Sequence, residues 1–250
     1  MFVCEPKTRG NGRAGDDRRA KTRSQTRGRH SRDRRTFCRL GGAFLMAGAV
    51  GALAGARAAR AAGQPSVFGT REFRSDNLTP FPKWTGALSR YFAETAPGRQ
   101  ACAQDAAARC DLRDWQAFLD GLKGADRMTA IRAVNRRMNR AAYVLDPINY
   151  GMPDYWATPL QFLRRDGDCE DFAITKFMSL RALGVANESM RIVVLQDLNL
   201  RIAHAVLLVF EGRRTLVLDN QIRDAVDARA IRHYRPLYSV NETAWWLHRA

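Results

Sequence analysis

The 250-residue chain has few of the residues that usually carry catalysis, with only four histidines and five cysteines. It has no internal repeat, so repeat architectures are excluded. The apolar run at residues 41–56 is too short to span a bilayer as a stable anchor. What is present is a hydrophobic fraction of 46%, which suffices for a real core. The scarcity of histidine and cysteine leaves few candidates for a nucleophile and its base.

The net charge of +16 is concentrated in the first 61 residues. This segment has fifteen Lys and Arg residues against four acidic ones, a net +11, so residues 62–250 carry only +5. The basic segment can be read as a nucleic-acid-binding arm. Its position directly before an apolar run favours an export signal instead, and we expect no nucleic-acid partner.

Residues 1–61 are typical of a disordered basic leader with an export signal. Ala-Arg-Ala triplets at 56–58 and 59–61 suit a signal peptidase, so we expect cleavage near residues 58–62. The motif around Arg34 and Arg35 resembles a twin-arginine signal, and an ordinary secretory signal remains the alternative. The sequence therefore predicts a periplasmic protein whose mature domain is residues 62–250.

Three cysteines remain after the leader. Cys102 and Cys110 can close a small loop, and in an oxidising compartment a disulfide between them is expected. The odd cysteine is Cys169, which fits a free, reactive thiol. An Asp-Gly turn delivers Cys169 to the first turn of a predicted helix over 169–183. The positive end of that helix would favour a thiolate, and the amide of Cys169 could donate to an oxyanion. The indole N–H of Trp156 is a weaker second candidate for that donor.

Candidate partners for the cysteine come from a predicted hairpin of strands 203–210 and 214–219. If Glu211 and Gly212 are the two turn residues, counting outward places His204 directly across from Asp219. Opposed residues have Cβ atoms roughly 5 Å apart, so the carboxylate could hold the imidazole. Cys169, His204 and Asp219 then have the roles of nucleophile, base and orienting acid.

Three acids, Asp168, Glu170 and Asp171, flank the cysteine and would oppose thiolate formation. One explanation is helix capping, with Asp168 as the N-cap and the other two in the first turn. The other is a bound hard cation such as calcium, for which oxygen-rich clusters are suited. The residues alone leave both open.

The coarse pattern is helices followed by strands. Helices are predicted over 84–95, 112–122, 126–142 and 159–163, and an irregular loop over 143–157. Strands are predicted over 190–195, 203–210, 214–219 and 234–240. Because helices precede strands, the pattern favours an α+β fold with the central cysteine helix packed on an antiparallel sheet.

The motifs at residues 167–173, 191–200, 203–206 and 218–221 resemble the bacterial transglutaminase-like cysteine proteinases, the family of LapG-type periplasmic proteases. The resemblance implies a papain/transglutaminase-like fold and a Cys169–His204–Asp219 triad. It also implies calcium, held by the acids that match Asp168 and Glu170. It further implies cleavage of a large surface adhesin, which regulates biofilm attachment, and sequestration by an inner-membrane cyclic di-GMP receptor.

The sequence therefore predicts an exported, calcium-dependent cysteine endopeptidase. One alternative is a transglutaminase or amidase acting on cell-wall peptides, because hydrolysis and acyl transfer use the same residues. A second alternative is a non-catalytic periplasmic adaptor that retains the fold.

Overall fold

The computed structural model describes residues 66–96 and 111–250. The predicted leader over residues 1–61 and the predicted Cys102–Cys110 disulfide lie outside these described residues. Within them, no helix is both long and apolar enough to cross a membrane.

The described part of the chain contains six α-helices and seven strands. The first strand precedes the helices, and the other six follow them. The helices are α1 (Pro82–Thr95), α2 (Asp111–Asp120), α3 (Arg127–Met138), α4 (Asp146–Asn149), α5 (Pro159–Arg165) and α6 (Cys169–Ala182). The strands are β1 (Arg71–Ser75), β2 (Met190–Asp197), β3 (Ile202–Glu211), β4 (Arg214–Leu218), β5 (Val226–Asp227), β6 (Tyr234–Val240) and β7 (Trp245–Arg249).

The seven strands form one sheet in the order β1-β7-β6-β2-β3-β4-β5. Every pair of neighbouring strands is antiparallel. This confirms the predicted α+β class, with helices packed on an antiparallel sheet.

Helix α6 lies at the centre of the larger core. Apolar side chains surround most of its circumference, and its residues from Cys169 to Leu180 are all buried. Phe177 packs edge-on against Trp84 of α1, with ring centroids 5.7 Å apart. Removing a buried ring of this size, as in Phe177→Ala, costs about 3–5 kcal/mol. The helix that begins at Cys169 is therefore held rigidly by packing along its length.

The two faces of the sheet carry separate cores. Leu207 and Val209 of β3 belong to the core shared with α6, whereas Val206 and Leu208 belong to a second core. Alternate residues of a strand point to opposite faces, so the second core covers the other face of the sheet. Tyr234 belongs to that second core.

The predicted hairpin register is wrong by two residues. Glu211 pairs with Arg214, so Gly212 and Arg213 form the turn, and Gly212 has the positive φ of 58° that such a turn requires. His204 is consequently not directly opposite Asp219, which follows the end of β4. A shift of two residues keeps both residues on the same face of the sheet.

Candidate active site

Cys169 is the first residue of α6, and a tight turn places it there. Residue 168 is the N-cap, and the backbone N–H of Asp168 donates to Oδ2 of Asp171 over 3.3 Å. A Cβ added at Gly167 would collide with that same carboxylate. Glycine is therefore required at position 167 for the chain to enter the helix as it does.

His204 and Asp219 are in direct contact. Nε2 of His204 lies 3.0 Å from Oδ1 of Asp219, and both side chains are almost fully buried. The backbone N–H of Gln221 donates to the same oxygen over 2.8 Å. Because Nε2 is occupied by the carboxylate, Nδ1 is the ring nitrogen left for a reacting group.

Tyr234 adds a further contact to the same carboxylate. Its hydroxyl donates to Oδ2 of Asp219 over 2.5 Å. Burial acts to raise the pKa of Asp219, but the charge of His204 and the hydrogen bonds from His204, Tyr234 and the Gln221 amide outweigh it and lower the pKa to about 2. Asp219 is therefore ionised at neutral pH and can orient the imidazole.

Cys169 and His204 both line one cavity of about 330 Å³. Its other lining residues are mostly apolar and come from the start of α1 and the residues before it, from β2 and β3, and from Tyr238. Asp154 and Glu170 also line it. Trp156 is buried in the wall of this cavity, and its ring lies edge-on to Trp84 at 6.3 Å. The structure thus brings Trp156 to the site, while the role of its indole N–H stays a prediction.

The sulfur of Cys169 lies 3.1 Å from Oε2 of Glu170, and Cys169 is disulfide-bonded in this structure. This differs from the expectation of an unpaired thiol. A disulfide sulfur is not a nucleophile, so any catalytic role of Cys169 belongs to its reduced form.

Five buried carboxylates gather beside Cys169. Asp168 and Glu170, predicted as metal ligands, are joined by three further acids: Asp146, Asp154 and Asp171. Three overlapping groups of these side chains, one including Cys169, have possible ligand atoms within 4.8 Å of one another. Asp166 and Asp197 belong to none of these groups among the described residues.

The charges of this cluster are largely uncompensated. One oxygen each of Asp146, Asp154 and Asp168 is buried with no hydrogen-bond partner among the described residues. Lys83 forms an ion pair with Asp154 at the rim. Burial raises the pKa of Asp146 to about 7 and that of Asp168 to about 6. Burial, followed by the charge of Asp168, raises the pKa of Glu170 and Asp171 well above their usual range. Such a donor set fits a hard divalent cation, because oxygen ligands and charge are what calcium needs.

Three residues of the candidate site were not predicted from the sequence. Asp146 and Asp154 lie in the segment predicted as an irregular loop, where α4 forms a single helical turn. Their acidity within a loop close to the cysteine in sequence is the signal that indicates them. Tyr234 begins β6, and no sequence pattern relates it to Asp219.

A cysteine at a helix N-terminus, in a cavity shared with a carboxylate-bound imidazole, defines, in its reduced form, the class of cysteine-dependent enzymes that form a thioester with an acyl group. Residues 98–247, more than half of the chain, match the family described as bacterial transglutaminase-like cysteine proteinase. The chain belongs to that family and is a cysteine peptidase.

Solved structures of one family member resemble it. The EGTA-treated form of LapG from Legionella pneumophila is 34% identical over 56% of this chain and 77% of that chain, with a TM-score of 0.52. The calcium-bound form of the same protein is 30% identical over 66% of this chain and 85% of that chain, with a TM-score of 0.53. The comparison with curated proteins gives no match.

Proposed function

We propose that the chain is an exported endopeptidase that cleaves its substrate through Cys169, His204 and Asp219. In the reduced enzyme, the thiol proton passes to Nδ1 of His204, and the thiolate attacks the scissile carbonyl. The imidazolium then returns the proton to the leaving amine, and water hydrolyses the thioester. The observation that carries the proposal is the 3.0 Å contact between His204 and Asp219 beside a cavity that Cys169 also lines.

Asp219 holds the imidazole in the orientation that this mechanism needs. An ionised carboxylate at Nε2 fixes the proton on that nitrogen, so Nδ1 is left as the base. Tyr234 in turn fixes the carboxylate from its other oxygen. Tyr234 acts through Asp219 and is therefore a positioning residue.

The negative oxygen that forms during attack needs donors in the same cavity. The backbone N–H of Cys169 is one, because it belongs to the first turn of α6 and has no partner within the helix. The indole N–H of Trp156 is proposed as the second. Its burial in the cavity wall supports this role.

Calcium is proposed as the cation of the acidic cluster. Asp168 and Glu170 would hold it together with Asp146, Asp154 and Asp171. The buried, unpartnered oxygens of Asp146, Asp154 and Asp168 fit such an ion. Bound calcium would supply positive charge that neutralises the carboxylates beside the thiolate. Because Asp146 and Asp154 come from the loop and the other three acids from the start of α6, a shared ion would connect the loop to the N-terminus of that helix. The calcium-bound form of the similar Legionella LapG supports this assignment.

The biological setting is proposed from the family and from the basic leader of residues 1–61. The chain acts in the periplasm after its signal is removed, on a protein substrate that is a large surface adhesin. Cleavage releases the adhesin and regulates biofilm attachment, and an inner-membrane cyclic di-GMP receptor controls access to the enzyme. The membership of the chain in the LapG-type family supports this substrate and this partner.

The proposal is tested with the purified chain, a reductant and calcium. The substrate is the N-terminal segment of the largest repeat-containing surface protein encoded in the same genome. We expect one cut that Cys169→Ser and His204→Gln abolish, while Thr243→Ser, far from the triad in sequence, cleaves normally. Mass analysis with an added primary amine separates hydrolysis from transfer. An uncut substrate would contradict the proposal that an adhesin is the substrate. Amine incorporation without hydrolysis would contradict the proposal that the reaction is peptide hydrolysis.

A further inference from the structure

A second cavity, of about 590 Å³, lies on the face of the sheet opposite α6. We call it the arginine cavity. Apolar side chains line part of it, among them Phe68, Ile231 and Tyr234, and three arginines line another part. Phe68 and Tyr234 meet edge to face at 5.9 Å. The cavity therefore combines an aromatic wall with a positively charged rim.

The charge of the rim is not balanced by the residues around it. Arg213, Arg229 and Arg232 line the cavity with a single acid, Asp227. Asp227 already pairs with Arg229 over 2.8 Å. Among the described residues, Arg213 and Arg232 form no hydrogen bond or ion pair. Two exposed guanidinium groups are thus available to a negatively charged ligand.

A buried hydroxyl independently indicates a ligand at the same place. Thr215 lines the arginine cavity and is only 6% exposed. Its Oγ1 is buried and has no hydrogen-bond partner among the described residues. Leaving a buried polar group unsatisfied costs about 1–3 kcal/mol. A ligand group that reaches Thr215 would supply the missing hydrogen bond.

The wall of the cavity is held in position before any ligand arrives. Tyr234 is fixed by its hydrogen bond to Asp219, and Ile231 is buried in the second core. The wall residues therefore lose little conformational freedom on binding, which favours affinity. Only the arginine side chains at the rim need to be ordered.

We propose that the arginine cavity binds an acidic peptide segment of a partner protein. Guanidinium groups pair with carboxylates through two parallel hydrogen bonds, which favours carboxylate ligands. The aromatic and aliphatic wall would accept an apolar side chain between the acidic ones. The volume exceeds what a single inorganic anion needs, and all three arginines are exposed. These features suit an extended segment.

The test measures fluorescence anisotropy with a labelled peptide of sequence Glu-Leu-Glu-Glu-Leu-Glu. The protein is the full chain carrying Cys169→Ala, so the probe is not cleaved and the result is independent of peptidase activity. We expect saturable binding that Arg213→Glu with Arg232→Glu weakens at least tenfold. The matched control is Arg113→Glu with Arg132→Glu, which makes the same charge change on α2 and α3 and should alter the Kd less than twofold. Thr215→Val should weaken binding about threefold without lowering the Tm.

Several results would overturn the proposal. Equal losses in the two double variants would mean that only net charge matters. Equal affinity for the peptide with glutamine in place of glutamate would exclude recognition of carboxylates. Displacement of the probe by inorganic phosphate at concentrations near 1 mM would assign the cavity to a small anion. An absence of saturable binding to the wild-type cavity would remove the site altogether.

Discussion

Nε2 of His204 lies 3.0 Å from Oδ1 of Asp219, although the two residues are not opposite each other in the β3–β4 ladder. Asp219 follows the last residue of β4, and Tyr234 and the Gln221 amide hold its carboxylate from other directions. The contact thus depends on three segments of the chain: the start of β3, the end of β4 with the residues that follow it, and the start of β6.

Replacing Asp219 with asparagine should lower kcat/KM by 10²- to 10⁴-fold, because an amide does not fix the correct tautomer of His204 or stabilise its charged form. Tyr234→Phe removes one hydrogen bond to the carboxylate and should cost only about three- to tenfold. The measurement is peptidase kinetics with Tm as a control for folding. Equal effects of the two variants would contradict the assigned roles.

The site contact was predictable although the hairpin register was not. The turn was assigned to Glu211 and Gly212, but the structure uses Gly212 and Arg213. Sequence alone does not decide between neighbouring two-residue turns that share a glycine. The shift of the register by two residues preserved the face on which each side chain lies, so the prediction of a His204–Asp219 pair did not depend on the exact turn.

Long apolar elements were predicted well, and short edge elements were missed. Helix α6 and strands β2, β3 and β4 lie within two residues of their predicted bounds. Strand β1 is polar, with only Phe73 apolar, and it lies at the sheet edge, where pairing with β7 stabilises it. Of the five acids in the cluster, Asp146 and Asp154 were not predicted. Their positions depend on how the loop folds, which the sequence pattern does not indicate.

Calcium should raise the Tm of the reduced protein, and a chelator should reverse the change. Asp146→Asn should reduce this calcium-dependent gain by at least half, because the residue belongs to two of the three acidic groups. The matched control is Asp224→Asn, which removes an exposed carboxylate that pairs with Arg136 on the surface. Differential scanning fluorimetry with titrated calcium measures the Tm of both variants and of the wild type. An unchanged Tm in calcium would contradict the metal site.

The calcium effect should also depend on pH. Burial raises the pKa of Asp168 to about 6 and of Asp146 to about 7, above the values of unfolded carboxyls. Without calcium, the folded state keeps protons that the unfolded state releases, so stability falls as pH rises from about 4 through 7. Calcium binds the ionised carboxylates, so its contribution to Tm should grow over the same range. A gain that is independent of pH would contradict this linkage.

His248 should make folding sensitive to acid. Its side chain is fully buried between Thr70 and Ser239, and burial lowers its pKa to about 4. The unfolded state takes up a proton near pH 6.5, so stability is lost as pH falls from 6.5 to about 4. At roughly 1.4 kcal/mol per pKa unit, the loss is up to about 3 kcal/mol. Urea unfolding measures the free energy of unfolding at each pH. His248→Gln should lose less of it between pH 6.5 and 4 than the wild type, whereas His233→Gln should lose as much as the wild type.

Gly167→Ala should destabilise the turn before Cys169. The added Cβ collides with the carboxylate of Asp171, and overpacking of this kind costs about 1–3 kcal/mol. Gly86→Ala is the matched control, because its Cβ meets only the flexible end of Arg90 within a helix. That variant should be neutral or stabilised by about 0.5–1 kcal/mol. Urea unfolding compares the two, and equal free energies of unfolding would refute the steric requirement.

The activation of Cys169 by His204 is tested most directly by alkylation. The fully reduced protein is treated with iodoacetamide at pH 6.5, and peptide mass spectrometry gives the rate at each cysteine. We predict that Cys169 reacts at least tenfold faster in the wild type than in His204→Gln, while the rates at Cys102 and Cys110 stay unchanged as internal standards. Equal rates at Cys169 in the two proteins would contradict its role as the activated nucleophile.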